Sequence, residues 1–259
     1  MTNGSILDAF RLDGRVALVT GAARGLGQAI ALGLAEAGAD VVTLDVLGPD
    51  ETVKRITALG RRAHPLTRDL LGLVEADAAE IVGESVAALG RLDILVNNAG
   101  IIRRAPALEF SQEDWEAVLS INLSAAFLLS QAFARRAIAA GQGGKIINMA
   151  SLLSYQGGTT VPAYAAAKSG IAGLTRALAN EWAKHGINVN ALAPGYFATD
   201  LTAALRADPS RAESMLGRIP AGRWGDPTDL KGAAVFLASD AAAYVHGTIL
   251  PIDGGWLAW

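Results

Sequence analysis

The stretch RVALVTGAARGLGQAIALGLAEAGADVVTLDV, Arg15 to Val46, holds the reading that decides the fold. Arg15 to Thr20 is short, apolar and β-branched, as a buried strand is. The following GQAIALGLAEAGA has helical periodicity with a glycine near its end, and DVVTLDV from Asp40 reads as a second strand. Between the first strand and the helix, glycines stand at Gly21, Gly25 and Gly27. Glycine there permits a tight turn and lets backbone N–H groups approach a pyrophosphate at the positive end of a helix. The spacing is G-x-x-x-G-x-G rather than G-x-G-x-x-G, and a plain strand-to-helix connection is the alternative. Asp45 closes the second strand, where a carboxylate can accept from an adenosine ribose hydroxyl and repel a 2′-phosphate, or simply end a turn. Arg24, a cation in the turn, pulls toward the extra phosphate. The balance predicts NAD ahead of NADP.

Outward from that unit the pattern repeats. A helix is expected near Glu51 to Leu59, a strand from Arg62, a helix near Val74 to Leu89 and the strand LDILVNNAG from Leu92. Ser111 with Asp114 reads as a capping box opening a long helix through Trp115, Phe127 and Ala139. Then come KIINMAS from Lys145, a helix from Tyr164 to Lys184, INVNALAPG from Ile187, a less periodic segment from Tyr196 to Gly225, a helix from Thr228 to Ala238 and a last strand, GTILPID. Strands that are apolar nearly throughout, alternating with helices, predict a single-domain α/β protein: a Rossmann-type doubly wound parallel sheet with helices on both faces. The substrate-covering segment falls at about 196–225. Pro251 cannot donate to a ladder, so the last strand is expected at a sheet edge.

The 259 residues are 51% hydrophobic and 18% charged with a net charge of −3, which describes a soluble chain with material for a large core. Without a basic run, a nucleic-acid or anionic-membrane partner is not expected. The start, MTNGSILDAFRLDG, has no long apolar stretch behind a basic opening, and cysteine is absent; both point to the cytoplasm. His64, His185 and His246 are scattered and form no metal-binding pair, so no metal is expected. No G-x-S-x-G elbow suggests a hydrolase.

In VPAYAAAKSG, Val161 to Gly170, Tyr164 and Lys168 share one helix face, separated by three small alanines. For a phenol to act as a base near neutrality its pKa must fall from about 10 by roughly two to three units. An ammonium about 4 Å away supplies about 4 kcal/mol at an effective dielectric of 20, which is enough. An accidental pair on an ordinary helix face is the alternative.

Taken together, TGAARGLG, NNAG at Asn97 to Gly100, SINLS with Asn122, Ser151, YAAAK and PGYFAT from Pro194 resemble the short-chain dehydrogenase/reductase family over essentially the whole chain. Ser151 precedes Tyr164 by the family's spacing. The resemblance implies a catalytic set of Asn122, Ser151, Tyr164 and Lys168. Tyr164 would exchange a proton with the substrate oxygen, Ser151 would hold that oxygen, and Lys168 would depress the phenol and bond the nicotinamide ribose. Asn122 would orient a water toward Lys168, or cap a local kink. For the cofactor it implies the turn Gly21, Arg24, Gly25, Leu26 and Gly27, with Asp45 on the ribose. Asp69 and Leu70 would lie at the adenine, with Asn97, Ala99 and Gly100 on the adenosine side. Pro194, Gly195, Phe197 and Thr199 would lie at the nicotinamide, with Phe197 acting through its backbone where many members carry a branched aliphatic residue.

NNAGIIRRAPALEFSQEDW, GGKIINMASLLSYQGG, NEWAKHGINVNALAPGY, IPAGRWGDPTDL and DGGWLA go beyond the shared motifs and resemble members that oxidise a secondary alcohol of a sugar acid. Substrate contacts are then expected from Arg103, Gln156 and Tyr196 beside Ser151 and Tyr164. Arg103 or Arg104 could fork onto a carboxylate, or be a solvated basic pair. A gluconate or polyol dehydrogenase, a 3-oxoacyl-carrier reductase and a non-catalytic dinucleotide-binding regulator remain as alternatives. The resemblance also implies a homotetramer; the apolar SAAFLLSQAF and terminal WLAW suit buried contacts, though core packing explains them equally.

Overall fold

A computed structural model describes residues 5–258. Seven parallel strands form one sheet in the order β3-β2-β1-β4-β5-β6-β7. They are β1 (Val16–Thr20), β2 (Asp40–Asp45), β3 (Ala63–Thr67), β4 (Ile94–Asn97), β5 (Gly144–Met149), β6 (Ile187–Pro194) and β7 (Ile249–Ile252). The strand order reverses between β1 and β4, so the loops leaving their carboxyl ends part to form the crevice where ligands bind in such sheets. β7 is an outer strand, as Pro251 predicts; the opposite outer strand, β3, also carries a proline, Pro65.

Alternation along β1 divides the core. Ala17 and Val19 face a cluster with Ile30 and Leu34 of α1 (Gly25–Glu36), Ile56 of α2 (Asp50–Ala58) and, further on, Leu237 of α9 (Lys231–Ala238). Val16 and Leu18 face the other layer, with Ile81 of α3 (Glu75–Leu89), Phe133 of α5 (Ala125–Ala139) and Trp182 of α6 (Pro162–Trp182). Phe133 packs where a Cβ on Gly144 would lie 2.6 Å from its Cζ, so ring and strand fit only because the strand starts with glycine. Removing such a ring costs about 3–5 kcal/mol.

The long helix is interrupted. α4 (Gln112–Leu119) passes through a π-helical turn, Ser120–Ser124, before α5. Ser111 Oγ accepts from the Asp114 N–H at 3.1 Å, but the reciprocal half of the expected capping box is replaced by an ion pair from Asp114 to Arg103. The helical run Gln112–Ala139 is long and apolar enough by composition to cross a bilayer; 44% of that apolar window is buried within the fold. The segment from Tyr196 to Gly225 contains two short helices, α7 (Ala203–Ala207) and α8 (Pro209–Leu216). Its ends are pinned together: Gly225 N–H donates to the Tyr196 carbonyl at 2.9 Å and Ala198 N–H to the Gly225 carbonyl at 2.8 Å. Trp259, part of the apolar terminal tetrapeptide, lies outside the described residues.

Candidate active site

The crevice is stitched closed at its base by one hydroxyl. Thr20 Oγ1, at the end of β1, accepts from the N–H groups of Asn98 and Ala99, both at 3.0 Å. Asn98 returns its amide to the carbonyls of Thr20 (2.9 Å) and Gly21 (3.1 Å), so the glycine turn and the NNAG loop are one rigid unit. A Cβ on Gly21 would sit 2.8 Å from Asn98 Nδ2, and one on Gly27 would collide with the Gly21 carbonyl. Gly25 differs: its φ is +58° and its nearest neighbour would be Thr199 Cγ2 at 3.9 Å. Two glycines therefore pack the turn and the third leaves it open to the crevice, beside Thr199. No side chain caps α1 and its first turn carries no acid, so its free N–H groups suit a pyrophosphate.

Around this cradle, Asp45 Oδ2 accepts from Ala23 N–H at 2.9 Å and Oδ1 from Leu47 N–H at 3.0 Å, which fixes a carboxylate beside the turn. Arg24 reaches across to Asp200 at 3.0 Å, both exposed. Leu26 packs on the core, Leu70 is buried, and Asp69 turns to the Leu71 N–H at 2.9 Å. Asn97 departs from expectation. Its side chain lies in the buried layer behind the sheet, donating to Asn148 Oδ1 at 2.8 Å and Ser130 Oγ at 3.0 Å, rather than facing an adenosine. Strand alternation explains this: Asn97 is the last paired residue of β4 and its side chain falls on the buried face, while the next residue, Asn98, turns to the carbonyls of Thr20 and Gly21.

On the other side of the crevice, Tyr164 and Lys168 lie one turn apart on α6, with Nζ 5.4 Å from the ring centre. Lys168 Nζ donates to the Met149 carbonyl at 2.7 Å. Ser151 follows β5 and accepts from the Leu153 N–H at 3.2 Å; Ser154, in the same turn, donates to the Lys168 carbonyl at 2.6 Å, tying this turn to α6. Asn122 stands in the π-turn, its amide donating to the carbonyls of Ile101 and Val118, each at 2.9 Å. Its Oδ1 is buried without a protein donor. A Cβ on Gly100 would meet that Oδ1 at 2.5 Å and Lys168 Nζ at 3.8 Å, so the glycine keeps a small space between the two polar groups. Asn122 thus sits in a kink and also faces Lys168.

Burial acts on both members of the pair. It raises the Tyr164 phenol above its ordinary value, while hydrogen bonding by Ser151 and the positive charge of Arg104 pull it back. Burial also brings the Lys168 ammonium down to about 8. On the phenol, burial outweighs both pulls, so its net shift is upward rather than the expected downward one, and the Lys168 ammonium is engaged by the Met149 carbonyl.

The two arginines separate. Arg103 pairs with Asp114 of α4 at 3.1 Å, both side chains remaining exposed. Arg104, exposed and without a carboxylate partner among the described residues, is the one whose charge bears on Tyr164 and on Tyr196. Its loop is moored by a feature no pattern announced. Thr160 adopts φ +63°, and its carbonyl accepts from Ala105 N–H at 3.0 Å, joining the arginine loop to the entry of α6. Gln156 accepts from Trp256 Nε1 at 3.3 Å, and the Tyr196 ring lies 4.8 Å from the Trp256 ring. Pro194 ends β6, Gly195 N–H donates to the Ile252 carbonyl at 3.0 Å, and Phe197 buries its ring against Gly225 while its carbonyl accepts from the Thr199 N–H at 3.0 Å.

A glycine-lined crevice at the switch point, with a serine, a tyrosine and a lysine at its other wall, defines a nicotinamide-dependent oxidoreductase. A family model described as enoyl-(acyl carrier protein) reductase matches residues 21–257. The chain belongs to the short-chain dehydrogenase/reductase family. It is 57% identical over 253 residues to 2-dehydro-3-deoxy-D-gluconate 5-dehydrogenase of Escherichia coli (strain K12), covering 98% of this chain and 99% of that one. A solved structure from Agrobacterium tumefaciens, assigned as a 2-deoxy-D-gluconate 3-dehydrogenase and holding NADP, superposes with a TM-score of 0.91 at 57% identity, over 97% of this chain and 100% of that chain. A gluconate 5-dehydrogenase from Burkholderia cenocepacia J2315, in complex with NADP and tartrate, gives a TM-score of 0.92 at 44% identity, over 98% and 100%.

Proposed function

We propose that this protein oxidises the C5 hydroxyl of 2-dehydro-3-deoxy-D-gluconate, as enzymes also named 2-deoxy-D-gluconate 3-dehydrogenases do, with NAD as the preferred cofactor. The observation that carries the substrate class is Arg104, a guanidinium without a carboxylate partner among the described residues, whose charge acts on the same phenol that would handle the proton. The full-length identity to a relative of that name supports the particular acid.

The nicotinamide supplies a hydride acceptor when bound; the chain's own groups do the rest. Ser151 holds the alcohol oxygen with its hydroxyl. Tyr164 takes the hydroxyl proton during oxidation and returns it during reduction. Lys168 keeps a positive charge one helical turn from the phenol that becomes negative, and Asn122 Oδ1 offers an acceptor beside Lys168. Asp45 supports NAD, since a fixed carboxylate repels a 2′-phosphate while Arg24 is engaged by Asp200. NADP is the second reading, because both solved relatives named above hold it. Gluconate is the second substrate reading, from the name of one of them.

We also infer a cytoplasmic homotetramer: Trp115, Phe127 and Ile138 remain exposed along α4 and α5, apolar surface that a second copy would cover. Light scattering on the purified protein gives the assembly mass directly, and a monomer sinks that part.

The function is tested by measuring NAD and NADP reduction on 2-dehydro-3-deoxygluconate, gluconate and a neutral polyol, for the parent chain, Arg104→Gln and Arg103→Gln. A charge-assisted bond is worth about 1.5–3 kcal/mol, so Arg104→Gln should lose roughly ten- to a hundredfold in kcat/KM on the acids. Arg103→Gln should lose little. Fastest turnover on the polyol, or equal losses on acid and polyol, would overturn the sugar-acid reading.

A further inference from the structure

The return limb of the 196–225 segment is locked to the chain's last turn. Ala221 N–H donates to the Gly254 carbonyl at 2.9 Å, and a Cβ on Gly254 or Gly255 would press on Ile219 Cγ2 at 2.8 Å or Pro220 Cγ at 3.0 Å. Asp253 ties the turn down, accepting from the N–H groups of Gly255 and Leu257, both at 2.9 Å. This close fit buries Trp256 beneath the limb, 4% exposed, with its indole N–H spent on Gln156. The Arg218 guanidinium lies over that indole, 4.0 Å from the ring centre. Tyr196 leans on the same indole at 4.8 Å and meets Trp224 edge-on at 5.9 Å.

A guanidinium stacked on a ring satisfies its face and leaves the N–H groups of its edge free to fork onto a carboxylate. Among the described residues no carboxylate pairs with Arg218, although nearby Arg223 is taken up by Asp229 at 2.6 Å. Tyr196 and the Arg218 guanidinium share the Trp256 indole, and the Tyr196 phenol, raised by burial, is pulled back by the charges of both Arg218 and Arg104.

We propose that Arg218 is a specificity-determining residue: it supplies the second guanidinium of a two-arginine clamp on the substrate carboxylate, with Arg104 from the loop after β4 as the other arm and Trp256 as the platform that presents it. This rests on the reading of Arg104 as carboxylate anchor. The clamp draws one arm from the loop after β4 and the other from the segment between β6 and β7, so anion recognition depends on the C-terminal turn being seated.

The test is steady-state kinetics on 2-dehydro-3-deoxygluconate and on a neutral polyol, with NAD, for Arg218→Gln, Arg218→Lys, Arg104→Gln and the Arg104→Gln/Arg218→Gln pair. Arg218→Gln should raise KM for the acid about tenfold with kcat changed less than about twofold, move the polyol constants far less, and leave the melting temperature unchanged. Arg218→Lys should recover part of the loss by restoring the charge without the fork. The pair should fall short of the summed single losses if both arms grip one group. An unchanged KM for the acid in Arg218→Gln, or equal rises on acid and polyol, overturns the clamp. If Arg104→Gln alone shows an acid-selective loss, only the second arm falls; if neither arginine does, the sugar-acid reading falls with it.

Discussion

The two walls of the crevice are built by opposite strategies. The wall formed by β1, α1 and β2 is local: strand, glycine turn, helix and acidic strand end follow one another along the chain, and what they offer is mostly backbone N–H. The wall proposed to meet the substrate is assembled from distant pieces, Arg104 after β4, Gln156 after β5, Tyr196 after β6, and Arg218 of the 196–225 segment on Trp256 near the chain's end. A local wall tolerates little change in shape but needs few particular side chains. A composite wall needs particular side chains, each held by a separate tether, and so is where relatives with one cofactor can diverge in substrate.

The sharpest way to divide the two is Tyr164→Phe. It removes the proton-transfer hydroxyl and keeps the ring, so turnover should fall by roughly a hundred- to ten-thousandfold while cofactor binding, followed by nicotinamide fluorescence, persists. A near-parental rate would remove Tyr164 from the mechanism. Gly27→Ala attacks the local wall instead. Its methyl collides with backbone rather than with a flexible side chain, so the turn must open. Cofactor affinity should weaken about tenfold or more and the melting temperature should drop, with every substrate affected alike. Selective loss on acids would show that the walls are not independent.

Lys168 gives a third cut, through pH. Its folded value of about 8 lies below the roughly 10.4 of an unfolded lysine, so the unfolded chain holds this proton more tightly. The penalty on stability is therefore complete below pH 8 and fades as pH rises from 8 through about 10.4. Lys168→Met should raise the melting temperature at pH 7, by less at pH 10, and abolish most turnover; equal gains at both values would mean that packing rather than charge is responsible. The smallest effect is expected of Asp45→Ala, which should narrow the NAD preference severalfold in kcat/KM without touching substrate discrimination. A parental preference for NADP would already show that Asp45 does not dominate.

The contrast also accounts for what the sequence made legible. The parallel sheet, its outer β7, the glycine turn and the Tyr164–Lys168 face all rest on periodicity or short spacing, and they stand as read. Asn97 was misplaced because two adjacent asparagines differ only by the parity of the strand, which a motif does not carry. Arg103 and Arg104 pose the same difficulty: Asp114 takes one of them, a pairing set by how α4 packs rather than by any pattern. Thr160 was invisible because a β-branched residue at positive φ runs against propensity, at a cost of about 1–3 kcal/mol, and its tie to Ala105 is a tertiary contact. The phenol and ammonium were correctly paired in space, yet burial, which sequence cannot weigh, opposes the charge effect assigned to them.

The prolines at the two rims of the sheet have a further consequence. Pro65 in β3 and Pro251 in β7 each remove one donor from a strand that has a neighbour on one side only. A foreign strand trying to zip onto either rim meets a gap in the ladder. The seven-stranded layer is thereby a finished object, protected against the end-to-end growth that turns exposed sheet margins into insoluble fibres.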